Sequence, residues 1–381
     1  MKTKLFRITS TLAALLLALG IVFGLSYAGD KSKGPIDNFF NYTGEVVTKV
    51  EKDIIVEKRE VKRSDKLKWF EAYKNNIALL KKPSKMLLGA YDNDTKESFE
   101  SIINLEDSLH TTLPLIQIYT AWGGKEEESF PVKQVKAILE LGSLPVITWE
   151  PWLTAFDEEN YPNLPSMDKR DKHGMADVAQ GKYDFYLKKW ADDAKKIEKP
   201  IFLRMGHEMN DPYRYPWGPQ NNSAAEFVAG WKHVHDIFKQ EGTNNIVWVW
   251  SPHPAYGFFK EFYPGDAYVD YVGAGVLNYG TVASWSKWWS FDEIFGKYYP
   301  QLSAFNKPIM ISEFGSLAVG GKRGEWFANA MDSLPQKYPA IKSILFFHFS
   351  EDKTTTQQVL NWYIKDDTAV TKVIARKIKG W

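Results

Sequence analysis

From residue 86 onward the apolar positions gather into eight short runs, 86–92, 114–122, 144–152, 200–208, 245–253, 268–279, 307–313 and 343–350. A polar loop and an amphipathic stretch separate each run from the next. The runs are almost continuously hydrophobic and do not alternate strictly, as expected of parallel strands covered on both faces. Helix signals fall between them. Ser223 with Glu226 forms a capping box ahead of Phe227, Trp231, Val234 and Phe238, and Gly242 stops the helix. Ser290 with Glu293 repeats the device before Ile294 and Tyr298, and Pro131 is placed as a first helical residue before Val132, Val135, Ile138 and Leu139, with Gly142 at the far end. Eight strand-then-helix units over residues 86–381 predict an α/β fold, a (β/α)8 TIM barrel, for which about 250 residues is typical. An open doubly wound sheet is the alternative, but no glycine-rich phosphate loop follows the first run.

The chain ahead of the barrel has a different texture. Lys2, Lys4 and Arg7 precede an apolar stretch, 8–25, and then Ser26, Tyr27 and Ala28. Residues 1–28 therefore read as an export signal cut after Ala28, which predicts a secreted, periplasmic or cell-surface protein. The apolar stretch is close to the shortest membrane span, so an uncleaved anchor is the other reading. Residues 29–85 are rich in Lys and Glu, carry one alternating run at 46–61 that suits one or two strands, and form a short N-terminal extension.

Composition narrows the chemistry. With 48 Lys plus Arg against 47 Asp plus Glu, the chain has no overall field to draw a polyanion, and no nucleic-acid partner is expected. The absence of Cys excludes disulfides, thiol nucleophiles and thiolate metal sites. The 15 Trp, 19 Tyr and 23 Phe are a surplus that suits a large core or surfaces that stack on sugar rings. Trp149, Trp248 and Trp250 lie inside strand runs and read as core.

Working residues of such barrels lie at the C-terminal ends of strands. Those ends carry Asp92, Trp122, Glu150 with Trp152, His207 with Glu208, His253, Asn278 with Tyr279, Glu313 and His348. Glu208 on strand four and Glu313 on strand seven stand out, because two facing carboxylates are the minimum apparatus for cleaving an acetal. One protonates the leaving oxygen, and the other attacks or stabilises the developing oxocarbenium carbon. Arg204, Gly206 and Glu208 share one strand face, which puts Arg204 beneath the site, where it would hold one carboxylate ionised. Trp285, Trp288 and Trp289 follow strand six and read as sugar-binding platforms, while Asp92, Glu150 and Trp152 either touch hydroxyls or rings along the cleft or have buried hydrogen-bonding roles. His253 either lines a subsite or shapes its loop. His207 and Glu208 make a poor zinc-peptidase pattern, because the position of the second His is Asp211. No metal and no cofactor is expected.

The run His207, Glu208, Met209, Asn210, followed by Tyr215, Pro216, Trp217 and Gly218, resembles the strand-four motif of glycoside hydrolase family 26, the β-mannanase family of retaining (β/α)8-barrel glycosidases. Ile311 to Gly315 is similar to that family's nucleophile motif, and Asn278, Tyr279 and Gly280 to its strand-six segment. The resemblance implies that Glu208 is the acid/base and Glu313 the nucleophile, and that the Tyr279 hydroxyl bonds Glu313. It further implies that His207 contacts the sugar, that Trp217 forms a stacking wall, and that Asn210 belongs to the substrate-binding set. The chain departs from the family at Asp211 to Arg214, with one added residue, and at His348 and Phe349, where a Trp is frequent. The expected function is a monomeric, secreted endo-β-glycanase that hydrolyses mannan-type or mixed-linkage β-glucan by double displacement. The rival reading is a non-catalytic polysaccharide-binding or export-associated barrel.

Overall fold

The structure, a computed structural model, describes residues 63–93, 99–356, 358–379 and 381. The export signal, the 46–61 run and most of the extension lie outside these residues. The chain separates into units Met1–Glu60 and Val61–Trp381, and the second carries the fold.

Eight parallel strands close into a barrel, each paired with the next in sequence and the last with the first. They are β1 (Leu87–Asp92), β2 (Leu115–Ala121), β3 (Leu144–Glu150), β4 (Ile201–Met205), β5 (Ile246–Trp250), β6 (Tyr271–Asn278), β7 (Ile309–Ser316) and β8 (Ile341–His348). Every apolar run of the sequence supplies one strand. Parallel neighbours require long crossovers, and helices such as Val132–Glu140, Asp184–Lys195, Ala224–Gln240 and Arg323–Lys337 cover the outer face. The longest of these is capped as its sequence predicts. Ser223 Oγ accepts from Glu226 N at 3.2 Å, and the Glu226 carboxylate accepts from Ser223 N at 2.7 Å. Ser290 and Glu293 form the same reciprocal pair, but the turn they start is a wide helical one, Asp292–Gly296. Pro131 sits one position outside its helix, as the cap. Among the described residues no helix is long and apolar enough to cross a membrane.

The sequence division at residue 85 falls inside the barrel unit. Short helices Arg63–Lys66, Glu71–Lys74 and Ile77–Lys81 bring Leu67, Phe70, Tyr73 and Leu80 into one apolar cluster with Leu87, Leu115, Leu144, Phe202, Val247 and Tyr271. These barrel residues stand at the N-terminal ends of the strands, so the segment plugs the floor of the barrel, opposite the C-terminal strand ends. Burial of its apolar side chains accounts for the order of a segment otherwise rich in Lys. The plug is also pinned by charge. Arg63, buried, donates from Nε and Nη2 to Glu106 at 3.0 and 2.6 Å and from Nη2 to Ser143 Oγ at 3.1 Å. Removing one partner of a buried pair strands the other charge, so Arg63→Met is expected to cost about 3–5 kcal/mol of unfolding free energy, read from denaturant titration of both proteins.

Candidate active site

At the C-terminal end of the barrel lies a cleft of about 600 Å³, walled by the loops after β4, β5 and β6 and by Thr355 from the loop after β8. Glu208 and Glu313 both line it. They arrive there by different routes. Glu313 lies within β7, opposite Gly275 of β6, where the register of the pair shifts by a bulge. Glu208 lies beyond the end of β4, and the backbone turns through positive φ at Gly206 (49°) and again at Glu208 itself (54°). A left-handed Glu is uncommon, and such conformations persist where surrounding bonds over-determine them. Here Glu208 N donates to Ser251 O at 2.7 Å, and Glu208 O accepts from Asp211 N at 2.9 Å. The turn aims Glu208 across the barrel mouth, which strand alternation alone does not do once β4 has ended.

Gly275 measures the gap. A Cβ on it would lie 3.6 Å from Glu208 Oε1 and 3.6 Å from Glu313 Oε2, so these two oxygens are separated by no more than twice that distance. This bound on the nearer oxygens is compatible with the carboxyl separation of about 5–5.5 Å used by retaining glycosidases.

The two carboxylates differ in their surroundings. Glu313 Oε1 accepts from Arg204 Nη1 at 2.8 Å and from the Tyr119 hydroxyl at 2.9 Å. Burial alone would raise its pKa, but the Arg204 charge, with both hydrogen bonds and Arg214, overcomes burial and holds the carboxyl below its ordinary value. Arg204 is itself fully buried under the site and is held by Ser251 Oγ at 3.1 Å, as its strand position predicts. Glu208 Oε2 has a looser partner in Arg214 Nη1, at 3.4 Å. Arg214 also reaches Thr355 Oγ1 at 3.4 Å and packs over Tyr215. Thus the oxygens of each carboxylate divide their duties. Glu313 Oε1 and Glu208 Oε2 face cations, while Glu313 Oε2 and Glu208 Oε1 both lie over Gly275.

The structure brings Tyr279 and Trp285 to the cleft with the carboxylates, and Trp289, Tyr256 and Tyr298 add further aromatic wall. Trp285 packs edge to face on Tyr279, with ring centroids 5.3 Å apart, and is still 58% exposed, which leaves apolar ring surface open to a ligand. His253 also lines this cleft. Trp149, Trp248 and Trp250 are core, as expected.

Several implied roles need correction. The Tyr279 hydroxyl bonds Thr355 Oγ1 at 3.0 Å, and Tyr119 of β2 occupies the place beside Glu313. Trp217 is no open wall. It is buried, donates from Nε1 to His207 O at 2.8 Å, and stacks behind Tyr215 with ring centroids 4.6 Å apart. Asn210 is buried and engaged within the protein, since its amide spends both N–H groups on His253 O and Gly257 O at 2.9 and 2.8 Å and accepts from His253 N at 2.7 Å. It ties the β4 loop to the β5 loop. His207 is buried against Tyr119 and bonds the Tyr215 hydroxyl at 3.0 Å, and burial, with the nearby Arg204 charge, drives its pKa well down, so it is neutral. Glu150 and Trp152 sit beside this group, not on the cleft wall. Trp152 Nε1 donates to Glu150 Oε2 at 3.0 Å, and burial raises the Glu150 pKa. At the end of β8 His348 is turned inward, accepts from Ile364 N at 3.1 Å, and is pushed down to about 2 by burial. Asp92 is buried and accepts from the Tyr363 hydroxyl at 3.2 Å.

Tyr119 was the residue that sequence reasoning missed. Its signal is present, because Gln117 and Tyr119 share the face of β2 that carries polar atoms into the barrel, and Gln117 indeed donates to Thr148 Oγ1 at 3.0 Å. Arg214 lies in the segment that departs from the resemblance, and nothing in the sequence alone aims it at the cleft.

Known proteins give the same picture. Over 274 residues the chain is 31% identical to endoglucanase H of Acetivibrio thermocellus, a match that covers 70% of this chain and 28% of that protein. It is 27% identical over 223 residues to a mannan endo-1,4-beta-mannosidase of Bacillus subtilis, covering 55% and 57% respectively. The chain thus spans about a quarter to somewhat over half of the length of these relatives. Among solved structures, GH26C from a Muricauda species superposes with a TM-score of 0.58 at 17% identity, over 80% of this chain and 87% of that one. A GH26 beta-mannanase from Bacteroides ovatus does so with 0.53 at 16%, over 78% and 89%. At such identities the likeness concerns the fold alone. The sequence profile of Glycosyl hydrolase family 26 matches residues 160–366, more than half of the chain and the part that carries both carboxylates, and the chain belongs to that family.

Proposed function

We propose that the protein is an exported, retaining endo-β-glycanase that hydrolyses mannan-type or mixed-linkage β-1,3-1,4-glucan. The observation that carries the reading is the pair of carboxylates facing across one cleft, one of them held ionised by Arg204 and Tyr119. Glu313 attacks the anomeric carbon through Oε2, the oxygen left without a hydrogen bond, while Glu208 protonates the glycosidic oxygen. The glycosyl-enzyme ester is then hydrolysed by a water that Glu208 deprotonates, with the sugar leaving in its original anomeric configuration. Each proton taken in one step is returned in the other, so no cofactor is consumed. The aromatic wall at Trp285 and Trp289 suits stacking against sugar faces in the cleft. The names of the relatives, an endoglucanase and a mannan endo-1,4-beta-mannosidase, support a glucan or a mannan as the polymer cleaved.

Incubation of wild type and Glu313→Ala with mannan, lichenan, barley glucan and xylan tests the reading. Internal cleavage of mannan or a mixed-linkage glucan by the wild type alone, with the β-anomer formed first by NMR, is the expected result. Equal glycan binding with no product from either protein assigns the chain to the non-catalytic alternative, and an α-anomer formed first removes the two-step mechanism.

A further inference from the structure

We propose that Glu208, Asp211 and His253 form a binding site for a transition-type divalent cation such as Zn2+, and that its occupancy switches the glycosidic site off. The inference rests on the function proposed above only for its second half. Asp211 carries the argument. Its side chain is fully buried, Oδ1 accepts from Tyr213 N at 2.8 Å, and Oδ2 is without a hydrogen-bond partner. A buried carboxylate oxygen left unpaired is costly and is rarely retained without a role. The side chain lines the same cleft as its neighbours Glu208 and His253, and one donor atom from each of the three lies within 4.8 Å of the others. No other group of three such residues has this geometry among the described residues.

Two carboxylates and an imidazole are a donor set for a borderline cation, and hard Mg2+ suits it less well because it prefers all-oxygen, octahedral shells. Ligands at about 2.0–2.2 Å from a tetrahedral ion stand roughly 3.3–3.6 Å apart, so donor atoms within 4.8 Å of one another close on it by moving at most about 1.5 Å, within reach of side-chain rotation. The scaffold limits other movement, because Asn210 clamps the backbone of His253 to the β4 loop and Ser251 O fixes that of Glu208. His253 Nδ1 accepts from Ala255 N at 3.1 Å, a neutral contact that an ion outcompetes. Arg214, 3.4 Å from Glu208 and part-exposed, is the cation that the incoming ion displaces. The open cleft supplies the remaining ligand as water. Once Glu208 gives a lone pair to the ion it can neither deliver a proton to a leaving oxygen nor accept one from water. The ion is therefore an inhibitor and not a cofactor.

The test is calorimetric titration of chelator-stripped, full-length protein with ZnCl2 and separately with MgCl2, alongside Asp211→Asn and His253→Ala. Asn keeps the acceptor for Tyr213 N, and circular dichroism checks that each variant is folded. The expected result is one Zn2+ per chain, no heat with Mg2+, and at least a tenfold loss of Zn2+ affinity in both variants. Hydrolysis, read for each protein relative to its own metal-free rate, is expected to fall with Zn2+, recover with chelator, and resist Zn2+ in Asp211→Asn. Absence of Zn2+ binding, or unchanged affinity in both variants, overturns the site whether or not any glycan is cleaved. Binding that behaves as expected in a protein that cleaves no glycan leaves the site standing and refutes the glycanase reading instead. A rate that rises with Zn2+ and vanishes with chelator overturns the inhibitory role.

Discussion

Glu313→Ala is expected to lower turnover of the polymer by on the order of 10⁴-fold or more, because no glycosyl-enzyme can form, and residual rate then comes from binding and the remaining acid alone. Glu208→Ala is expected to lose about 10²–10⁴-fold on the polymer, the usual worth of a positioned general acid. The two variants part company on substrates with a good leaving group. An aryl glycoside departs without a proton, so Glu208→Ala still forms the intermediate rapidly and stalls at its hydrolysis, giving a burst of phenolate. Glu313→Ala gives no burst. Azide separates them further, since it is small enough to enter the space that an excised carboxylate leaves. In Glu313→Ala it attacks the anomeric carbon once, from the face Glu313 used, and yields the α-glycosyl azide. In Glu208→Ala it attacks the intermediate from the opposite face and yields the β-glycosyl azide. If both variants gave the same anomer, the assignment of distinct roles to the two residues would fail.

That these two positions can be singled out at all follows from the way a parallel barrel writes itself into sequence. Each strand is buried on both faces, so it appears as an uninterrupted apolar run, and a charged side chain at its C-terminal end is conspicuous. Glu208 and Glu313 were legible for that reason, as was Arg204 near the end of β4, although the turn after that strand, and not alternation, aims Glu208. Their partners were not. Whether Tyr119 of β2 or Tyr279, just after β6, reaches Glu313 of β7 depends on how the strands tilt around a closed barrel, and neither residue is near Glu313 in the chain. Aromatic residues were ambiguous in another way. Trp217 and Trp285 both follow strand ends, yet one is sealed behind Tyr215 and the other is open, because the loops that cover a ring come from distant segments. The floor plug was hidden by composition. Its helices are four or five residues long, too short for periodicity to show, and their few apolar residues are diluted among Lys.

Replacing Arg204 is expected to have the second largest effect, and its direction in pH is fixed by the forces on Glu313. Burial works to raise the Glu313 pKa, and Arg204 is the foremost group opposing it. Without the guanidinium burial prevails, the pKa rises, and the acid limb of kcat/KM moves to higher pH, because the nucleophile must be ionised to attack. A carboxylate with a depressed folded pKa also stabilises the fold above its unfolded pKa of about 4.3, a contribution lost as pH falls through the folded value. The wild type should therefore lose both activity and this share of stability only in acid, whereas an Arg204 variant loses activity earlier. Arg204→Met also strands Glu313 in the interior, at a cost of about 3–5 kcal/mol, so Arg204→Lys is the better probe. Lys restores the charge but cannot hold Glu313 and Ser251 together as a planar fork does, and its limb should fall between those of wild type and Met. Tyr119→Phe removes one hydrogen bond to Glu313 Oε1 and should shift the limb in the same direction by less, with a rate loss of about tenfold for each 1.4 kcal/mol the bond supplies in the transition state. Tyr279→Phe should leave the limb in place, since its hydroxyl is engaged with Thr355. A limb that moves with Tyr279 and stays with Tyr119 would show that Glu313 works with the partner the family resemblance implied and not with the one the barrel places beside it.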